Sequence, residues 1–205
     1  MSDPGPRVAL TFDAEHPDRP RCPPDAADRI LDALGDAGIQ ATFFIQGRWA
    51  QAYPSRARRI ANEGHLIGNH SHYHARMTLL HDDGIRSDVD AAAGRIASSC
   101  GVDPRPWFRC PFGDGHDDPR VLTTLDELGY RNVHWHLELE DWEPWTTKDG
   151  LADAAVDGAL AHGDGAVVLL HTWPGPTAEA IGTILDRLAA ADARFVAVDA
   201  LETLP

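Results

Sequence analysis

Cysteine is scarce in this 205-residue chain, which carries only Cys22, Cys100 and Cys110. Three thiols cannot all pair within one chain and none has CxxC spacing, so neither a disulfide framework nor a cysteine-built zinc or redox site organises the fold. Buried, inert thiols are the simplest expectation. Positive charge is also short: 18 Lys and Arg stand against 32 Asp and Glu, a net charge of -14. Such a chain repels phosphate backbones and anionic membrane surfaces, and the one dense basic run, Arg56, Arg58 and Arg59, is too small to reverse that. Nucleic acid is therefore not an expected partner. Long apolar runs are missing too. The stretch 166–170 falls far below the roughly 20 residues that cross a bilayer, so no membrane partner is expected. The opening MSDPGPRVALTF has neither a basic region followed by an apolar one nor a small-residue cleavage site, which predicts a cytoplasmic location. Internal repeats, low-complexity tracts and long linkers are lacking as well.

What is present fits a globular enzyme-sized chain. At 43% hydrophobic and 24% charged it is neither disordered nor fibrous in composition. Its length suits a single domain spanning 1–205, able to bury roughly 70% of its unfolded surface. Short apolar or β-branched runs alternate with segments of helical period. Strands are predicted at 7–12, 41–45, 65–69, 107–110, 132–137, 166–171 and 194–198. Helices are predicted at 25–38, 49–62, 85–99, 119–128, 151–161 and 179–190, the first capped by Gly38. Strands separated by helices pair in parallel, so the fold class is α/β, either an open doubly wound sheet or a (β/α) barrel. In both, ligands bind at the C-terminal ends of the strands. Ionisable residues collect there: Asp13, His70, Arg109, Asp141 and His171.

Eleven histidines are present, and His65, His70, His72 and His74 fall within one short segment. His70 and His74 are four apart, which on a helical turn aims both imidazoles the same way and suits a shared metal ion. A solvated surface pair is the competing reading. Asp13 and Glu15, at the end of the first strand, favour the metal. His72 should project elsewhere, as a surface residue or a support for the ligands.

These residues resemble the polysaccharide deacetylases, the NodB-homology carbohydrate esterases. The likeness covers nearly the whole chain. It rests on Thr11-Phe12-Asp13, on residues 38–44 (GIQATFF), on residues 64–74 (GHLIGNHSHYH), on residues 109–113 (RCPFG), on Asp141-Trp142 and on Leu169-Leu170-His171, in that order. It implies a distorted (β/α) barrel of seven or eight strands. It further implies a hydrolase that removes an acetyl group, most simply N-acetyl, from an amino sugar or a related small amide.

The resemblance makes Asp13 the general base, His171 the general acid, Arg109 the partner of Asp13 and Asp141 the partner of His171. It makes His70 and His74 ligands of a divalent metal, zinc first, with cobalt, nickel or manganese as alternatives, and it implies no organic cofactor. The family's usual second aspartate is here Ala14, so Glu15 or water is the expected third ligand. The main-chain N-H of Phe112, where the family usually has tyrosine, is the implied oxyanion donor. Trp142 and Trp173 are candidate substrate contacts, with Trp145 at the rim; pocket wall is the plainer reading of all three. Trp49, Trp107 and Trp135 are read as structural. The rival functions are a metal-independent cyclic amide or imide hydrolase of the allantoinase-like branch and a non-catalytic carbohydrate-binding relic. O-acetyl specificity is a further variant of the leading one.

Overall fold

A computed structural model describes residues 5–17 and 22–205. Among these, eight strands occur: β1 (Arg7–Ala14), β2 (Thr42–Ile45), β3 (Leu66–Asn69), β4 (Trp107–Phe108), β5 (Arg131–Asn132), β6 (Leu137–Glu138), β7 (Ala166–His171) and β8 (Arg194–Phe195). Seven α-helices alternate with them: α1 (Ala26–Ala37), α2 (Gly47–Ala52), α3 (Pro54–Asn62), α4 (Asp82–Cys100), α5 (Pro119–Glu127), α6 (Lys148–His162) and α7 (Gly175–Ala190). Gly38 ends α1 with φ 67°, a left-handed conformation that glycine adopts without strain.

The chain divides into two compact units. One holds the segment ending at Phe12 together with Pro17–Thr42 and Trp135–Pro205; the other holds Asp13–His16 and Phe43–His134. In the first unit the strands lie in the order β8, β1, β7, β6, with β8 parallel to β1 and β6 parallel to β7. Val8, Ala9, Leu10, Phe12 and all of β7 are buried, as expected of a parallel strand covered on both faces. Helices α1 and α6 pack on α7, whose Ile181, Ile184, Leu185 and Leu188 are buried.

In the second unit the end of β1 is followed by β2, β3, β4 and β5. Main-chain bonds mark the succession: Gln46 N-H to Ala14 at 2.9 Å, His70 N-H to Ile45 at 3.0 Å, and Arg109 N-H to Asn69 at 3.0 Å. Helices α2, α3 and α5 pack on α4. The core beneath α4 and α5 gathers Met77, Ile85, Val89, Phe108, Cys110, Val121, Leu125 and Tyr130. Burial pushes the Cys110 thiol up to about 12 and that of Cys100 up to about 11, so both stay protonated and inert near neutral pH. Cys22 differs from the expectation of burial in being only half-buried.

The predicted elements need four corrections. The helix expected at 49–62 is two helices, because Pro54 opens α3 and cannot continue the hydrogen bonds of α2. The strand expected at 132–137 is split: β5 pairs with β4 in one unit, and β6 pairs with β7 in the other. Residues 109–110 lie outside β4, since Pro111 opens a 3-10 turn that turns the chain away. The last strand stops at Phe195, and Val198–Ala200 forms a 3-10 turn.

Gly68 on β3 explains how close this packing is. A Cβ placed there would lie 2.6 Å from the Phe44 ring and 3.1 Å from the Trp107 carbonyl. Gly68→Ala is therefore expected to destabilise the protein by about 1–3 kcal/mol, read as a lower midpoint in chemical denaturation. An unchanged midpoint contradicts this packing.

Candidate active site

In the second unit, parallel strands deliver polar side chains at their C-terminal ends, where such sheets bind ligands. Asp13 sits at the end of β1, His70 directly follows β3, and Arg109 directly follows β4. All three are buried, Arg109 completely. The Arg109 guanidinium donates to Asp13 Oδ1 at 2.9 Å and to the carbonyls of Val133 and His134 at 3.1 and 3.2 Å. It also stands 4.1 Å over the Phe44 ring. The structure thus brings Arg109 onto Asp13.

His70 is oriented from behind. Its Nδ1 lies 2.9 Å from the Arg109 carbonyl, which can only accept, so Nδ1 carries a proton and Nε2 is the nitrogen that faces forward, the one a neutral ring offers as a lone pair. That Nε2 faces His74 Nε2 at 3.2 Å, with Asp13 Oδ2 and Glu15 Oε2 each at 3.4 Å. His74 Nε2 lies 2.5 Å from Glu15 Oε2. Burial alone would lower the His70 pKa, but Asp13, Glu15 and the Arg109 carbonyl outweigh it and the result is raised. Converging nitrogen lone pairs beside carboxylates call for a positive charge between them. Glu15, His70 and His74 each offer a ligand atom within 4.8 Å of the others, a group that could hold a metal ion.

The route to this convergence differs from the predicted one. His70 and His74 do not share a helical turn. Ser71 and His74 both take a left-handed conformation at φ 59°, and this tight turn folds His74 back on His70. Non-glycine residues need support there. Asn69 Oδ1 accepts from Ser71 N-H at 2.9 Å, and Ser71 Oγ accepts from His74 N-H at 2.9 Å. Asp88 on α4 accepts from the His72 and Tyr73 N-H groups at 2.6 and 3.1 Å. Sequence reasoning missed Asn69, Ser71 and Asp88. Asn and Ser flanking His70 were a readable turn signal, whereas Asp88 had none. His72 is buried rather than on the surface, packed where a Cβ on Gly47 would come within 2.5 Å of its Nδ1. Phe112 lies in the 3-10 turn Pro111–Gly113 with φ 58°, and its half-exposed ring packs 4.4 Å from His74.

The first unit carries a second cluster. His171 ends β7, and Asp141 follows β6. Asp141 Oδ1 accepts from His171 Nδ1 at 2.8 Å, while Oδ2 accepts from the His171 main-chain N-H at 2.8 Å and from Thr177 Oγ1 at 2.5 Å. Thr177 was not foreseen. Trp142 meets His171 edge-on at 4.9 Å, and Trp173 lies 5.8 Å from it. Asp141, Trp142, Glu143 and Trp173 line a cleft of about 600 Å³ within this unit. Trp145 is 69% exposed, whereas Trp49 is buried.

Known proteins share this arrangement of elements. The polysaccharide deacetylase family profile matches residues 1–133. A peptidoglycan-N-acetylglucosamine deacetylase of Bacillus cereus is 31% identical over 95% of this chain and 67% of its own length. A family 4 carbohydrate esterase from Streptomyces lividans, solved with acetate, superposes with a TM-score of 0.79 at 30% identity, over 92% of this chain and 90% of that one. A family 4 pseudoenzyme from Bacillus anthracis superposes at 0.83 with 25% identity, over 96% of this chain and 66% of that one. The fold class is the distorted (β/α) barrel that the sequence implied, not the open sheet. A profile match over more than half the chain, joined to relatives of this identity and coverage, places it in the polysaccharide deacetylase family, hydrolases of carbon-nitrogen bonds.

Proposed function

We propose that the chain removes an N-acetyl group from an amino sugar or a related small amide, using a divalent ion, zinc first, held by Glu15, His70 and His74. The observation that carries this reading is the convergence of both histidine Nε2 atoms and the Glu15 carboxylate beside Asp13. When bound, such an ion supplies Lewis acidity, polarising the amide carbonyl and acidifying water.

The remaining chemistry belongs to the chain's own side chains. Asp13 takes the proton of the attacking water. Arg109 occupies its Oδ1 and leaves Oδ2, the oxygen that faces His70, as the basic atom. The Phe112 main-chain N-H donates to the oxyanion that develops on the carbonyl oxygen. His171 gives a proton to the departing amine, a step that amide cleavage needs because an amine anion is a very poor leaving group. Asp141 holds His171 Nδ1, so Nε2 is the nitrogen left for that transfer. Trp142 and Trp173, flanking His171, shape the acetyl pocket or stack on a sugar ring.

The same reading locates the enzyme in the cytoplasm acting on a small acetylated sugar or amide. Its support is that Cys100 and Cys110 are buried thiols rather than disulfide partners; fractionation of the source cells tests it. Turnover rests on these side chains rather than on the fold, which a pseudoenzyme shares.

Glu15→Ala and His74→Ala are expected to weaken zinc binding by calorimetry at least about 100-fold, more than the loss of an outer partner gives. Asp13→Asn should keep most zinc affinity while acetate release drops about 10²–10⁴-fold. Full zinc affinity in Glu15→Ala would falsify the ligand assignment, and activity that survives a chelator supports the metal-independent hydrolase instead. His171→Ala separates the acid from a structural role. Release from an N-acetyl sugar should fall about 10²–10⁴-fold, and release from an aryl acetate far less, since a phenolate leaves without a proton. Equal losses on both substrates remove His171 from the acid's role.

A further inference from the structure

Arg76 takes no part in the chemistry above, yet it stands beside it. It precedes the 3-10 turn Met77–Leu79, two residues after His74. Its guanidinium carbon lies 4.6 Å over the centroid of the Phe112 ring, and that ring packs 4.4 Å from the His74 imidazole. The contact with Phe112 fixes a cation at the rim of the Glu15, His70 and His74 group, while 53% of the Arg76 side chain remains exposed.

That charge is only loosely compensated. Asp114 Oδ1 stands 4.0 Å away, at the outer limit of an ion pair. The Asp114 carboxylate is already engaged by Thr78, whose main-chain N-H and hydroxyl reach Oδ2 at 2.9 and 2.7 Å and whose hydroxyl reaches Oδ1 at 3.0 Å. With half of its side chain exposed, the guanidinium keeps donors accessible to solvent, in the fork geometry that suits carboxylates and phosphates. The setting makes this consequential. A chain of net charge -14, with Asp13 and Glu15 buried in the same unit, disfavours an anionic ligand at long range. A fixed cation at the rim offsets that for a ligand whose negative group falls within its reach.

We propose that Arg76 is a specificity-determining residue, selecting acetylated amino sugars that carry an anionic substituent, carboxylate or phosphate, close to the acetamido group. This inference rests on the deacetylase reading above. A purely structural Arg76, serving to cover Phe112, would act on all substrates alike.

The test titrates zinc-loaded wild type, Arg76→Gln and Arg76→Lys with three sugars by calorimetry, at low and high salt. The sugars are N-acetylglucosamine, its carboxylate-bearing relative N-acetylmuramic acid and its 1-phosphate, the last two charged on ring carbons next to the one that bears the acetamido group. Wild type should bind at least one anionic sugar about tenfold more tightly than the neutral one. The preference should disappear in Arg76→Gln, persist in part in Arg76→Lys and shrink as salt rises. Comparison of the two anionic arms tells whether carboxylate or phosphate is the group recognised. No anionic preference in wild type, or equal weakening of all three sugars in Arg76→Gln, overturns the inference. Acetate release is scored on the same samples. Charge preference without release supports selective binding by Arg76 and contradicts deacetylation.

Discussion

Arg109 is a guanidinium without solvent exposure, and the candidate site depends on how that charge is satisfied. Removing such an ion from water costs several kcal/mol unless partners replace the lost hydration. Here Asp13 supplies the counter-charge, two carbonyls accept further N-H groups, and the Phe44 ring lies beneath. Burial lowers the Arg109 pKa and Asp13 opposes the shift, so the pair is stable only as a pair. The same residue acts through its backbone. The Arg109 carbonyl fixes which His70 nitrogen bears the proton, and thus which one faces His74 and Glu15. One position on the chain therefore sets the placement of the proposed base and the orientation of a proposed metal ligand.

A similar economy governs the other unit. Asp141 receives three donors, from the His171 ring, the His171 main chain and Thr177, so its carboxylate has little freedom. Its position fixes the His171 ring in turn. In each unit a buried carboxylate orders a basic partner at the end of a parallel strand. The surrounding strands, buried along most of their length, carry or deliver these groups at their C-terminal ends.

Much of this was legible in the sequence, for a physical reason. Parallel strands buried on both faces appear as continuous apolar runs, so β1 and β7 stood out, and so did the ionisable residues where the runs end. Asp13, His70, Arg109 and His171 were visible in that way. The turn that joins His70 to His74 was not, because spacing of four fits a helix as readily as a loop. What decides it is the pair of left-handed residues, Ser71 and His74, stabilised by Asn69 and Ser71 side chains. Pro54 was a readable break that helical periodicity on either side obscured. Thr177 and Asp88 lie 36 and 16 residues from the groups they bind, beyond any local pattern. The stacked rings of His116 and His134, and the neighbouring rings of His136 and His162, likewise left no trace in spacing.

The central claim is that Glu15 completes a cation site in place of the carboxylate lost at Ala14. The direct measurement is a crystal structure of zinc-loaded protein with anomalous diffraction recorded at the zinc edge. The account predicts one strong peak bonded to Nε2 of His70, Nε2 of His74 and a carboxylate oxygen of Glu15. A peak elsewhere, or one on the histidines with Glu15 turned away, contradicts it.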